Sequence, residues 1–185
     1  MSVSIEEVET VWNEADCLMS EQQVERAIDQ VAQAIEGRLA DKNPLILSVM
    51  KGGLVFTSEL LMRLSFPVEL DYIHVTRYGM GLTGKELQWK VTPQEDLTGR
   101  VVLILDDILD EGQTLKAIID ACLAQGARKV FSAVLVDKKH DRKFDPDFKA
   151  DFTGLEIEDR YIFGYGMDYK GYLRNASGIY AVKGA

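Results

Sequence analysis

The sequence predicts an α/β fold with a mostly parallel central sheet flanked by helices, and three observations carry that expectation. Residues 101–105 (VVLIL) and 130–136 (VFSAVLV) are continuous apolar runs, the pattern of strands covered on both faces. A helical span from about Thr114 to Gln125, closed by Gly126, separates them. A further apolar run, residues 44–50 (PLILSVM), is followed by the glycine turn Lys51-Gly52-Gly53 and by the helical stretch LVFTSELLMRL. Alternation of strand and helix in this way calls for parallel pairing.

The other elements follow in chain order. Residues 1–20 are mixed and read as an arm or short helix. Residues 21–40 form an amphipathic helix, because Val24, Ala27, Ile28, Val31, Ile35 and Leu39 recur at three- and four-residue steps, with Ser20 as its N-cap. Residues 68–76 are a second strand. The glycine-rich stretch RYGMGLTGKELQWKVTP, residues 77–93, has no clean period and reads as a long loop or loose hairpin ending near Pro93. After residue 138 come short pieces, LEIED, RYIFGYGMD and IYAV. No repeat or linker divides the 185 residues, so one domain spanning 1–185 is expected.

Composition narrows the function. An apolar fraction of 46% supports an ordinary core. A net charge of −9 repels phosphate backbones and disfavours broad nucleic-acid binding, although local amides, lysines or metal can still hold a small anion. Cys17 and Cys122 are far apart and have no partners at metal spacing, as expected of buried reduced thiols in a cytoplasmic protein. The acidic N-terminus lacks the apolar stretch of a signal peptide, and no apolar run is long enough to span a bilayer.

The most informative segment is LDDILDEGQT, residues 105–114. Four carboxylates, Asp106, Asp107, Asp110 and Glu111, fall within six positions after a buried strand, where open α/β sheets bind ligands. Gly112 permits a tight bend and Thr114 stands at a helix start, where free amides can cradle a phosphate. Asp106 and Asp107 suit sugar hydroxyls, directly or through Mg²⁺. Asp110 could act as a base. A solvated acidic turn that caps a helix accounts for the same spacing, but a structural turn has little need of two adjacent acids at the strand end.

The order apolar strand, two acids, two apolar residues, Asp-x-Gly-x-Thr and helix resembles the phosphoribosyl pyrophosphate motif of the type I phosphoribosyltransferases. Here it stands as VVLILDDILDEGQT, with Glu111 where the family commonly has Thr. Other segments resemble the hypoxanthine-guanine branch, together covering most of the chain. The fold the resemblance implies is the type I sheet with a small hood of N- and C-terminal segments. The activity it implies is transfer of 5-phosphoribosyl to N9 of hypoxanthine or guanine, with Mg²⁺ as cofactor and a homodimer or homotetramer as the assembly.

The implied sites follow residue by residue. Lys51 and Gly52 resemble the pyrophosphate-binding turn, where the peptide before the glycine is often cis. Asp106, Asp107, Asp110, Glu111, Gly112, Gln113, Thr114 and Arg174 would bind phosphoribosyl pyrophosphate, with Asp110 catalytic. Lys138 would donate to the purine O6, although the adjacent Lys139 leaves that register open. Tyr161 would stack on the base and Ile162 would read it through its carbonyl. Asp168 would hold metal together with Asp106 and Asp107, and its neighbourhood would meet the guanine 2-amino group. A strand with aromatic packing would also explain Tyr161, and a surface lysine would explain Lys138.

Residues 79–85, GMGLTGK, match both a dinucleotide glycine fingerprint and most of a phosphate-binding P-loop. Neither context holds. Pro93 follows too soon for a long helix, and Glu86 stands where the P-loop needs Ser or Thr. The resemblance instead makes residues 77–93 a mobile loop that closes over the site, with Arg77-Tyr78 where the branch often has Ser-Tyr. A regulator that binds nucleotides without catalysis would need a basic face, which the charge balance disfavours. A xanthine or pyrimidine phosphoribosyltransferase is the alternative among enzymes.

Overall fold

The computed structural model describes residues 3–78 and 86–184. The N-terminal arm is more regular than its sequence suggests. Helix α1 (Ile5–Glu14) is capped by the Ser4 hydroxyl, which accepts the Glu7 N–H, and a short strand β1 (Asp16–Met19) follows. Helix α2 (Glu21–Leu39) begins where expected, with the Gln23 carboxamide accepting the Ser20 backbone N–H in a capping box. Then come β2 (Leu45–Met50), α3 (Gly53–Leu61), β3 (Glu69–Tyr78) and β4 (Glu86–Val91). The second half runs β5 (Val101–Leu109), α4 (Gln113–Ala124), β6 (Lys129–Lys139), β7 (Phe152–Glu158), β8 (Ile162–Phe163) and β9 (Ile179–Ala181).

Six strands form the main sheet in the order β4-β3-β2-β5-β6-β7. Every pairing in it is parallel except β3 with β4, which is an antiparallel hairpin. Part of the stretch at 77–93 is therefore a strand. Its glycine-rich centre, residues 79–85, lies outside the described residues, and with it the expected closing loop.

The sheet is covered on both faces, as its continuous apolar runs require. On one face Ile46, Leu103, Leu105, Phe131 and Leu135 pack with Val24, Ile28 and Ile35 of α2 and Phe56 and Leu60 of α3. On the other, Leu45, Leu47, Val102, Ile104 and Val134 pack with Leu115, Ile118 and Cys122 of α4. Successive residues of β5 thus alternate between two cores.

The helices after β2 and β5 consequently lie on opposite faces. The sheet reverses its winding between these adjacent strands, and such a switch point is where an open α/β sheet leaves a crevice. Pairing of β2 with β5 stops at Ser48–Leu105, whereas β5 stays paired with β6 through Leu109–Asp137. The last four residues of β5 therefore border an opening on the β2 side.

A second sheet, β1-β9-β8, joins the N- and C-terminal segments. Phe163, stacked on Tyr180 at 5.6 Å, packs beneath it with Val8 of α1 and with Leu173. Glu7 ties α1 to this hood by accepting from Tyr169 Oη and Lys170 Nζ, both at 2.7 Å. Among the described residues no helix is long and apolar enough to cross a membrane.

Candidate active site

Where β2 and β5 part, a cleft of about 460 Å³ opens. Its walls include Met50, Gly52, Asp106, Asp107, the turn from Asp110 to Gly112, Thr114, Asp168 and Arg174. Ten of the fourteen residues expected to form the site from sequence meet at or beside this opening; the exceptions are informative.

Asp106 and Asp107 are not in a turn beyond the strand. β5 continues through them to Leu109, because pairing with β6 persists after β2 has left. They are side by side inside the sheet edge, with the Asp107 N–H donating to Asp106 Oδ1 at 3.0 Å. Burial, followed by the repulsion of Asp107, pushes the Asp106 carboxyl well above the usual range. Burial also raises Asp107, and the Arg174 guanidinium pulls partly the other way.

Gly52 is required by close approach. A Cβ there would stand 2.0 Å from Asp107 Oδ2, so the turn after β2 can lie against the β5 carboxylates only without a side chain. The cis peptide at this turn joins Met50 to Lys51, one residue earlier than the peptide preceding Gly52. The Lys51 side chain is exposed and does not line the cleft.

Gly112 has φ +85° and caps α4 without a side-chain hydrogen bond. The first intrahelical bond runs from Lys116 N–H to the Gly112 carbonyl, which leaves the Gln113, Thr114 and Leu115 amides without a helical acceptor. These amides and the helix dipole favour an anion at the cleft. The Thr114 side chain lines the cleft, whereas Gln113 is exposed and does not.

The end of β6 supplies the second wall. This strand runs three residues beyond the apolar run that marked it, so Lys138 and Lys139 are strand residues and point to opposite sides. Lys139 turns outward to Asp137 (3.0 Å) and Glu156 (2.8 Å). Lys138 is buried and faces the site, 3.4 Å from Asp159 Oδ1 and 3.9 Å from Asp110 Oδ2. Of the two lysines, Lys138 is the one on the Asp110 side of the strand. Asp159 also takes both guanidinium nitrogens of Arg142, and Arg142 first, then Lys138, holds its carboxyl well below the usual range.

Tyr161 is exposed on the hood and meets Tyr169 edge-on, with ring centroids 5.7 Å apart. Its carbonyl accepts the Val182 N–H, so the alternation of an antiparallel ladder turns the Ile162 carbonyl away from β9. Asp168 pairs with Arg174 at 2.6 Å and accepts the Gly171 N–H at 2.6 Å. Arg174 also donates to the Gly166 carbonyl.

Four neighbours of the acidic turn carried no signal in the sequence. His140 lies 2.6 Å from Asp110 Oδ1. Lys143 donates to Asp137 Oδ1 at 2.6 Å and reaches the carbonyls of Leu109 and Asp110 at 3.4 and 3.2 Å. Phe144 and Phe148 pack over Gly112. The run KKHDRK in which the two basic residues fall resembles any solvated surface loop, and only its folding back onto β5 marks it.

Comparison with known proteins decides the family. The phosphoribosyl transferase domain model matches residues 15–170. The hypoxanthine-guanine phosphoribosyltransferase of Aquifex aeolicus is 33% identical over 168 residues, covering 90% of this chain and 93% of that protein. The chain belongs to the phosphoribosyltransferase family, in its hypoxanthine-guanine branch. The Bacillus subtilis hypoxanthine-guanine phosphoribosyltransferase is 31% identical, with coverages of 91% and 93%. Among solved structures, a hypoxanthine phosphoribosyltransferase from Staphylococcus aureus superposes with a TM-score of 0.87 at 26% identity, covering 97% of each chain. A ternary substrates complex of the Trypanosoma cruzi hypoxanthine phosphoribosyltransferase gives 0.84 at 29% identity, with coverages of 92% and 96%. The type I fold and the hood expected from the sequence are therefore both present.

Two predictions follow from this geometry. Gly52→Ala should stay folded by circular dichroism yet lose most turnover, because the new methyl must displace Asp107; full turnover would mean the close approach is dispensable. The second concerns Asp137, which is buried between Lys143 and Lys139. Burial opposes its charge, but hydrogen bonds from Lys143 and then Lys139 outweigh that and hold the carboxyl below its usual range. A depressed carboxylate contributes stability above the unfolded pKa, about 3.9, and loses it as pH falls through the folded value. Lys143→Met should therefore cost about 2–3 kcal/mol at neutral pH, less than the full cost of orphaning a buried charge because Lys139 remains. Urea denaturation should show that difference shrinking below about pH 4 as Asp137 protonates.

Proposed function

We propose that this chain salvages 6-oxopurines, transferring 5-phosphoribosyl from phosphoribosyl pyrophosphate to N9 of hypoxanthine or guanine and releasing IMP or GMP with pyrophosphate. The observation that carries the reading is the convergence, in one cleft, of an uncapped helix start, a buried carboxylate pair and the Asp110–Lys138 wall. An anion, a polyhydroxylated sugar and a purine edge each find a complementary surface there.

The amides at the start of α4, from the Glu111–Thr114 turn, would receive the 5-phosphate. Arg174 and the backbone of the Lys51-Gly52 turn, rather than the outward Lys51 side chain, would meet the pyrophosphate. Asp106 and Asp107 would accept the ribose hydroxyls, directly or through Mg²⁺. Asp106 and Asp107 offer a hard divalent cation two adjacent oxygen donors, held where burial raises both carboxyls; among the described residues no third carboxylate or imidazole completes a cluster with them. Asp168 lines the same cleft, where Arg174 already offsets its charge. When bound, Mg²⁺ would supply charge neutralisation for the departing pyrophosphate.

The base would lie between the β6 wall and the hood. Lys138 would donate to O6, a match for hypoxanthine and guanine and a mismatch for adenine, whose exocyclic amine also donates. Tyr161 would stack on the purine, and Ile162, its carbonyl turned away from β9, would accept from the base edge. Asp110 would take the N7 proton as N9 attacks the anomeric carbon. Both cysteines are free, which suits a reducing cytoplasm, but only Cys122 is buried as expected; Cys17 is exposed.

A homo-oligomer is part of the proposal. Leu54, Leu70 and Tyr72 are exposed and line one groove between α3 and β3. Such a contiguous apolar surface suits burial against a second copy. Sedimentation should find a dimer or tetramer that Leu70→Asp weakens; a monomeric parent at micromolar concentration would remove this part.

The decisive assay offers hypoxanthine, guanine, xanthine, adenine and uracil separately, with phosphoribosyl pyrophosphate and Mg²⁺. Turnover restricted to hypoxanthine and guanine is expected, and equal use of adenine would contradict the Lys138 assignment. Asp110→Asn should keep its fold and lose about 10²–10⁴-fold in turnover. Tight nucleotide binding without turnover of any base would favour a regulator instead.

A further inference from the structure

We propose that His140 is a positioning residue for Asp110, fixing which carboxylate oxygen faces the base; this rests on the reading of Asp110 as the proton acceptor. The His140 side chain is almost wholly buried, at 2% exposure, although it lies in the polar segment just past β6. Its Nδ1 accepts the Arg142 backbone N–H at 3.0 Å. An acceptor nitrogen carries no proton, so in the neutral ring the proton sits on Nε2. Nε2 is 2.6 Å from Asp110 Oδ1 and therefore donates to it.

The surroundings leave the imidazole as the group that sets the carboxylate's rotation. Lys138 stands 3.9 Å from Oδ2 and Arg142 stands 3.9 Å from Oδ1, both beyond hydrogen-bond reach. Lys143 holds the Asp110 backbone carbonyl, and Asp159 draws on Lys138 and Arg142. Asp110 itself is about half exposed and would otherwise sample several rotamers. With Oδ1 committed to His140, Oδ2 is the oxygen turned toward Lys138, the proposed O6 donor. The two groups that would touch adjacent atoms of the purine edge are thereby set at a fixed spacing. The Arg142 N–H to Nδ1 contact passes that order back to the loop after β6, so the backbone, through the imidazole, orients the base.

A histidine serving only the core would alter stability and leave the rate of the folded enzyme unchanged. A positioning histidine should alter kcat and leave substrate binding nearly unchanged, because misalignment acts on the reacting geometry. The variants to compare are His140→Ala, His140→Phe (ring volume without a donor) and His140→Gln (a donor near the Nε2 position), each in the otherwise complete enzyme with hypoxanthine and phosphoribosyl pyrophosphate. In the folded fraction, Ala and Phe should lower kcat roughly 10- to 100-fold with little change in either KM. His140→Gln should recover most of the loss. In the Asp110→Asn background His140→Phe should cost nothing further, since the two act as a unit. Parental kcat in His140→Phe, or a Gln variant as poor as Phe, overturns the positioning role while leaving Asp110 as the base. Near-parental turnover in Asp110→Asn overturns the base reading, and the role of His140 with it.

Discussion

The site depends on the place where β2 and β5 stop pairing. Up to Ser48–Leu105 the strands are zipped together, and beyond it each sends its helix to an opposite face. The gap that opens is filled from the β2 side by a turn that can lie against Asp107 only because Gly52 has no side chain. Everything proposed for the sugar and its leaving group lies along that seam. A change that kept the two strands paired for two residues more would close the cleft while improving the sheet.

The seam is electrostatically costly, which is informative for a chain with so ordinary a core. Two carboxylates are held side by side at a buried strand end, with Arg174 partly offsetting Asp107 alone. The arrangement is poor for stability and good for holding a cationic or hydroxyl-rich ligand. Local conflicts of this kind, set in a structure otherwise consistent at every level, mark function. The helix start nearby makes the opposite provision, offering amides with no acceptor to an anion. In a protein of net charge −9, the site proposed for an anionic substrate thus draws on backbone amides.

The loop after β6 is the less obvious partner. Lys143 ties Asp137 to the carbonyls of Leu109 and Asp110, Phe144 and Phe148 cover Gly112, and His140 takes one oxygen of Asp110. Strand β6 and its loop therefore grip the acidic turn from the side away from β2. The turn has one rigid neighbour and one open side, as a site must if its groups are to be ordered and still admit a ligand.

The sequence by itself determined the strand–helix alternation, the buried character of β2, β5 and β6, and the acidic strand-to-helix passage, because apolar runs, helical periodicity and glycine turns are local signals. It also supplied the residues whose order along the chain forms a motif, Asp106 to Thr114 above all. It did not set where strands end: β5 runs four residues and β6 three past their apolar runs, since pairing with a neighbour, and not hydropathy, decides that. Nor did it separate Lys138 from Lys139, reveal β1, or bring His140, Lys143 and Asp159 to the site. The contacts of His140 and Lys143 with Leu109 and Asp110 join positions 30 to 34 residues apart, and only packing the β6 loop against β5 creates them. The tertiary structure decided which face each charge serves, because a side chain's environment belongs to the sheet and not to its neighbours in sequence.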